Sequence, residues 1–331
     1  MTQVIREVVE ALPSIDLAEA KTFFNGIRNT ESHSQALNHF RAFQSVEVGG
    51  AAKVDSLPST FRVMAWNMER CMFPLESAKL LQRFNADVLL VSEMDVGMAR
   101  TQQRHNARIM AEYLSMSYCY GLEFFELGLG APTEQTFCND SFNEKGFHGN
   151  AILSRVPLIN PVLFRVSDES YWFNRDSAEE PRIGTRHALA ATLATAAGEV
   201  VVVSVHLENA TTPDKRCQQL LGITQMASEY AEGRPIVVGG DMNSFGQALD
   251  LDWQGEPLFA AMEAEGFEYK NCNLKGPTVR ESLINRKDWQ LKLDWFFIRQ
   301  LESSYPMIVP ALDEWQRPLS DHDIISLDIT P

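Results

Sequence analysis

The chain has no apolar run near the roughly 20 residues that crossing a bilayer requires; even Val200–Val203 soon meets polar neighbours. Its N-terminus lacks the basic start and apolar core of a secretory signal and carries Glu7 and Glu10 instead, which predicts a cytoplasmic protein. Cysteines are few: Cys71, Cys119, Cys138, Cys217 and Cys272 form an odd set, never spaced Cys-x-x-Cys. That argues against a disulfide framework and against a thiolate zinc site. No Gly-x-Gly-x-x-Gly occurs, since Gly128-Leu129-Gly130 continues to Thr133, so a dinucleotide fingerprint is excluded. Internal repeats and low-complexity tracts are also missing. Basic residues are scarce, with 29 Lys and Arg against 44 Asp and Glu and a formal net charge of -15. Such a field repels a polyanion and disfavours loose binding to duplex nucleic acid. A bound cation reverses the sign locally, so a small phosphorylated substrate is favoured without excluding a nuclease.

What is present suggests a short leading segment and one large unit. Residues 1 to about 45 have helical spacing in three stretches: Val4 to Leu12, then Leu17 to Ile27 capped by Ser14 or Asp16, then Leu37, Phe40 and Phe43. A small-residue linker, Val48 to Ala52, follows. Residues 1–58 are therefore read as a helical extension with linker, and 59–331 as the main domain. From Phe61 onward, β-rich runs alternate irregularly with helical ones. Strands are expected at Phe61–Trp66, Asp87–Val91, Ala151–Leu153, Ala188–Leu193, Val200–Val205, Ile236–Val238, Trp295–Ile298 and Ile324–Ile329. Helices are expected at Leu75–Phe84, Arg104–Leu114, Lys215–Glu232 and Glu256–Ala264. Many strands and few helices predict an α/β sandwich of stacked sheets with helices outside.

The informative pattern is where those strands end. Apolar runs terminate successively at Asn67, Glu93, His206 and Asp241, with Asn243 two residues on; Asp294 and the pair Asp321-His322 follow similar runs. Any one of these is an ordinary turn residue. Six in order suggest a site, because a rigid scaffold holds reactive groups where sheets end and loops begin. The residue types fit phosphate-ester chemistry, in which the ester's negative oxygens repel incoming hydroxide. A hard cation such as Mg²⁺, with Mn²⁺ as a substitute, relieves that repulsion and takes oxygen ligands. Glu93 and Asp321 supply carboxylates, with Asn67 as a neutral oxygen. Asp241 suits the orientation or deprotonation of water, His206 and His322 can donate to phosphate oxygens, and Asp294 can fix an imidazole tautomer.

Seven pieces in this order resemble the endonuclease/exonuclease/phosphatase superfamily: Trp66-Asn67-Met68-Glu69, Ser92-Glu93-Met94-Asp95, Gly149-Asn150-Ala151-Ile152-Leu153-Ser154, Ser204-Val205-His206-Leu207-Glu208, Gly239-Gly240-Asp241-Met242-Asn243, Lys292-Leu293-Asp294-Trp295-Phe296-Phe297 and Leu319-Ser320-Asp321-His322. The resemblance covers about Phe61 to Pro331 and implies a four-layered sandwich with its site at one end of two packed sheets. It implies Glu93 as the main metal carboxylate with Asn67 and Asp321 nearby, and Asp241 positioning water. It also implies Asn150, Asn243 and His206 on substrate, Asp294 paired with His206, and His322 acting on the scissile phosphate. The base is Asp241 or His322, and the metals one or two. Family members often bring a tyrosine to the phosphate, for which Tyr118 and Tyr120 are the candidates.

Lys145 and His148, just before Gly149, are further candidates for phosphate or leaving-group contact, as are Arg182 and Arg186. Glu208, on the strand face of His206, either tunes that ring or caps the strand. The one basic stretch, Lys270 to Lys292, holds Trp289 but no repeated aromatic platform of the kind nucleic-acid readers show. The expected function is hydrolysis of a phosphorylated small molecule or phosphodiester. The competing readings are a DNA or RNA nuclease and a relative that has lost catalysis and only binds. The leading helices either pack on the sandwich or mediate self-association.

Overall fold

The structure is a computed structural model that describes residues 3–166, 170–175, 181–244, 256–285 and 290–331. The chain opens with strands β1 (Gln3–Ile5) and β2 (Glu7–Val9), helices α1 (Leu17–Asn25) and α2 (Thr30–His39), and strand β3 (Ser45–Gly50). Next come β4 (Phe61–Arg70), α3 (Pro74–Arg83), β5 (Val88–Val96), α4 (Asn106–Leu114) and β6 (Ser117–Glu126). Then follow α5 (Pro132–Gln135), β7 (Phe147–Ser154), β8 (Ile159–Arg165), α6 (Tyr171–Asn174) and β9 (Arg182–Gly184). The remainder is β10 (His187–Thr195), β11 (Gly198–His206), α7 (Pro213–Ala231), β12 (Ile236–Asp241), α8 (Pro257–Ala264), β13 (Asp294–Arg299), β14 (Glu302–Val309) and β15 (Ile324–Thr330).

Among the described residues these strands form two mixed sheets. One runs β1-β8-β10-β11-β12-β13, the other β14-β15-β4-β5-β7-β6-β3-β2, with β9 added alongside β6. Side chains alternate across a strand, so a strand apolar on both faces must be covered twice. In β4, Val63 and Ala65 join the core shared with the other sheet and with α7 and α8, whereas Met64 and Trp66 join the core under α2, α3 and α4. β5 repeats the division, with Val88 and Leu90 inward and Leu89 and Val91 outward. Helices on both outer surfaces complete the four expected layers.

The leading segment departs from expectation. Val4 to Leu12 is not helical: β1 pairs with β8 of one sheet, while β2 pairs with β3, which pairs with β6 of the other. The β-branched residues Val4, Ile5, Val8 and Val9 favour extended backbone, and open sheet edges supplied their hydrogen-bond partners. The expected linker around Val48-Gly49 is likewise the strand β3. The second stretch is helical as read, capped by Asp16, whose carboxylate accepts from the N–H of Glu19 at 2.8 Å. The segment thus packs on the sandwich.

Candidate active site

Register brings three strand ends level. His206 of β11 lies beside Asp241 of β12 in a parallel pair, and Asp241 lies opposite Asp294 of β13. Gly240 permits this approach: its φ is +143°, and a Cβ there would lie 2.0 Å from the Val205 carbonyl oxygen. The facing sheet contributes Asn67 from β4 and Glu93 from β5. Glu93 sits where the pairing of β5 with β7 shifts register between Val91 and Met94, and its φ is 57°. Bulges of this kind re-aim a side chain. Asp321 and His322 arrive on the loop before β15. The Ser320 hydroxyl donates to the Asn67 carbonyl at 2.6 Å and accepts from the His322 N–H at 3.0 Å, which joins the two.

The geometry around His322 corrects one expectation. Asp294 pairs with His322, not His206: its Oδ2 lies 2.8 Å from His322 Nδ1 and also accepts from the Thr278 hydroxyl at 2.7 Å. His322 Nε2 faces Asp241 Oδ2 at 3.8 Å and Asp321 Oδ1 at 4.0 Å. Burial opposes charge on this ring, yet Asp294 and then Asp241 outweigh it and hold its pKa well above the ordinary histidine value. His206 meets Arg186 instead, with Nδ1 2.8 Å from Nη1, and lies 3.4 Å from Glu123 and 3.6 Å from Asp241. Arg186 is fixed in turn by Glu123 at 3.1 Å and Glu208 at 3.5 Å. Glu208 also accepts from the Trp172 indole at 2.9 Å, so it reaches His206 through Arg186.

The acids crowd one another. Burial, and then Asp321, pushes the Glu69 carboxyl up to about 8. Burial likewise raises Asp241, where Asp294 adds repulsion, and Asp321, where Glu93 does. Glu93 is the exception, held well below the usual range against its burial penalty by Arg70 and His206. Asn67 turns its NH₂ toward Glu93 Oε1 at 3.0 Å and Asp241 Oδ2 at 3.1 Å, and its oxygen toward the N–H of Glu69 at 3.1 Å. It bridges two acids instead of offering an oxygen to a cation, which differs from the expected role.

Glu69, Asp241 and Asp321, whose carboxyls resist losing their protons, form a cluster whose charge a divalent cation would offset. Asp241, Asp294 and His322 place one ligand atom each within 4.8 Å of one another. The ring of that trio is committed to Asp294 and favours its protonated form, which leaves no lone pair for a metal. Glu93 and Asp321 are the better holders, with side chains 17% and 18% exposed where Asp241 and Asp294 are at most 2%. Glu69 stands between them electrostatically. Its Oε1 accepts from the Ser282 hydroxyl at 2.6 Å, and Asn285 connects it to Asp321.

Other sequence candidates fall elsewhere. Lys145 donates to the Leu12 carbonyl at 3.0 Å, because the chain before β7 turns toward the leading segment. His148 is buried opposite Asp95 in register and bonds its Oδ1 at 2.9 Å, behind Glu93 and not toward substrate. Tyr118 donates to Glu47 and Tyr120 to the Met94 carbonyl, so neither candidate tyrosine is directed at phosphate. Arg182 stacks on Trp172 and Phe124. Asn150 and Asn243 do lie at the site: Asn150 Nδ2 is 3.5 Å from Glu123, and the Asn243 N–H donates to Asp241 Oδ1 at 2.8 Å. Arg286, Lys287 and Trp289 of the basic stretch lie outside the described residues. Sequence reasoning missed Glu69, Arg70 and Glu123. Glu69 stood inside a quoted motif, two residues after Asn67, where alternation alone would have drawn attention to it.

Comparison with known proteins gives the family and the fold. The family model described as Endonuclease/Exonuclease/phosphatase family matches residues 64–322. The uncharacterised protein YbhP of Escherichia coli strain K12 is 26% identical over 188 residues, 56% of this chain and 64% of YbhP. The chain therefore spans less than two thirds of that relative's length. An endonuclease/exonuclease/phosphatase from Beutenbergia cavernae DSM 12333 superposes with a TM-score of 0.56 at 18% identity, covering 82% of this chain and 71% of that one. A mannosyl-6-phosphatase from Bacteroides thetaiotaomicron VPI-5482 gives 0.54 at 15% identity, covering 82% and 100%. At these identities the likeness is one of fold.

Proposed function

Because the chain belongs to the Endonuclease/Exonuclease/phosphatase family, whose members act on phosphoesters, we propose that it is a Mg²⁺-dependent hydrolase of a small phosphorylated molecule or phosphodiester. The observation that carries this is the convergence of Asp241, Asp294 and His322, with His206 and Glu93 at their edge. Glu93, Asp321 and Glu69 would hold the cation, with Mn²⁺ as a substitute. Such an ion would supply positive charge to offset the phosphate oxygens and would make a nearby water more acidic.

The chain's own groups divide the remaining work. Asp294 keeps the proton on His322 Nδ1, so that Nε2 faces the space in front of Asp241. The protonated His322 donates to an oxygen of the scissile phosphate, where charge builds in the transition state. Asp241, raised by burial, accepts the proton of the attacking water as the water oxygen bonds to phosphorus and the ester P–O bond breaks, the leaving oxygen taking a proton from solvent. Its other oxygen is fixed by the Asn243 N–H, which sets its direction. His206 and Arg186 form the opposite wall and supply donors for non-bridging oxygens. The formal net charge of -15 supports a small phosphate ester over a polyanion as substrate.

The test is hydrolysis of a chromogenic phosphodiester and of a sugar phosphate with Mg²⁺. Chelation should abolish turnover, and Asp241→Asn should lower kcat at least about 10³-fold. Silence across metals and a broad ester panel would leave a binding module. Plasmid nicking that outpaces the small esters would make the chain a nuclease.

A further inference from the structure

Behind Glu93 stands a fixed cation for which the chemistry above has no use. Arg70 lies where the pairing of β4 with β5 shifts register after Asn67. Glu69, Arg70 and Cys71 have φ of 43°, 72° and 55°, three successive side chains in the left-handed region. Such backbone is costly and persists only where its surroundings hold it. Here the Arg70 side chain is the tie: Nε donates to Glu134 Oε1 at 2.7 Å and Nη1 donates to Glu93 Oε2. Glu134 is 1% exposed and is itself fixed by Arg100 at 3.2 Å and by the Ala131 N–H at 2.7 Å. Arg100 is buried on Asp95, through Nε at 2.8 Å and Nη2 at 2.9 Å. The guanidinium is therefore anchored from behind, and one of the two Glu93 oxygens is committed to it.

We infer that Arg70 holds a permanent positive charge where a second cation would otherwise sit, and so limits the acid cluster to one divalent ion. The inference rests on the metal reading above. A guanidinium cannot shed its proton in a protein, and the Glu134 anchor keeps it from swinging into solvent. Its charge acts on Glu69 and Asp321 as well as on Glu93. A second ion beside these acids would meet a like charge in a partly buried setting, where repulsion is strong. Arg70 is thus a positioning residue that acts through Glu93.

The test counts Mn²⁺ bound to the metal-stripped full chain by the paramagnetic resonance signal of free Mn²⁺, with no substrate present. Wild type should bind one Mn²⁺ per chain. Arg70→Gln should gain a second equivalent, or bind the first on the order of tenfold more tightly. Arg70→Lys, which keeps the charge, should bind one with an affinity near that of wild type. Two Mn²⁺ per wild-type chain overturns the inference. So does an Arg70→Gln chain that binds one ion with unchanged or weaker affinity, or an Arg70→Lys chain that binds two. Should Arg70→Gln not fold, the wild-type count and the lysine variant still decide. A wild-type chain that binds no Mn²⁺ removes the metal reading itself and this inference with it, so the two failures are distinguishable.

Discussion

The His322 ring is gripped by Asp294 at Nδ1 and faced by Asp241 at Nε2, so one imidazole stands between two buried carboxylates. Both acids favour the imidazolium, and the pKa of His322 is raised well above its ordinary value. The form that donates to phosphate therefore persists through neutral pH, and on the basic side activity should decline as pH rises through that elevated value. Asp294→Asn removes the stronger of the two supports while keeping the shape. The basic limb of the kcat profile should then move at least about one unit toward lower pH, and kcat should fall about 10²- to 10⁴-fold. A pH–rate profile of the variant checks both. An unmoved basic limb would mean that another group carries the proton.

At the scale of elements, the leading segment is fastened through one buried acid. Glu47 of β3 accepts from the Leu12 N–H at 2.8 Å, the Tyr118 hydroxyl at 2.8 Å and His105 at 2.5 Å. Burial resists this charge, but His105 leads the groups that bring the carboxyl down to about 2. A depressed carboxyl contributes stability that is present above its unfolded value near 4.5 and lost as pH falls toward 2. Glu47→Gln leaves the Leu12 N–H and the Tyr118 hydroxyl competing for one weaker acceptor. It should cost about 2–4 kcal/mol at pH 7, with a flatter loss of stability between pH 4.5 and 2. Urea unfolding at several pH values measures both.

The same segment shows where sequence was and was not legible. β4, β5, β11 and β12 are apolar on both faces, so local pattern sufficed for the strands and for the polar residues that stand toward their ends. β1, β2 and β3 are short, and what makes them strands is a partner far along the chain, such as Leu163 for Ile5 or Cys119 for Val48. A window of sequence does not contain that partner. The pairing of Asp294 with His322 instead of His206 has the same cause, since loop trajectories and not strand register choose between the rings.

For the molecule as a whole, the question is what a net charge of -15 does to a phosphate-bearing partner. Duplex DNA binds through many cation–phosphate contacts, each of which releases counterions and steepens the salt dependence. Among its described residues, the basic stretch from Lys270 has three of its cations engaged within the fold. Lys270 is paired with Glu263 at 2.7 Å, Arg280 with Asp323 at 3.2 Å, and Lys292 is buried over the Trp295 ring at 4.2 Å. Among the described residues, Arg186 and Arg70 near the site are recessed and paired with acids, which keeps them from the backbone of a rigid duplex. Labelled duplex should therefore bind more weakly than about 10⁻⁴ M at 150 mM salt, weaker than typical non-specific DNA binding. Hydrolysis of a small ester should change little between 50 and 200 mM salt, because a recessed site is poorly screened. Fluorescence anisotropy and initial rates across that salt range measure the two effects. Micromolar duplex binding with a steep salt slope would mean that a cationic track exists outside the described residues, and a nucleic acid would then be the better substrate.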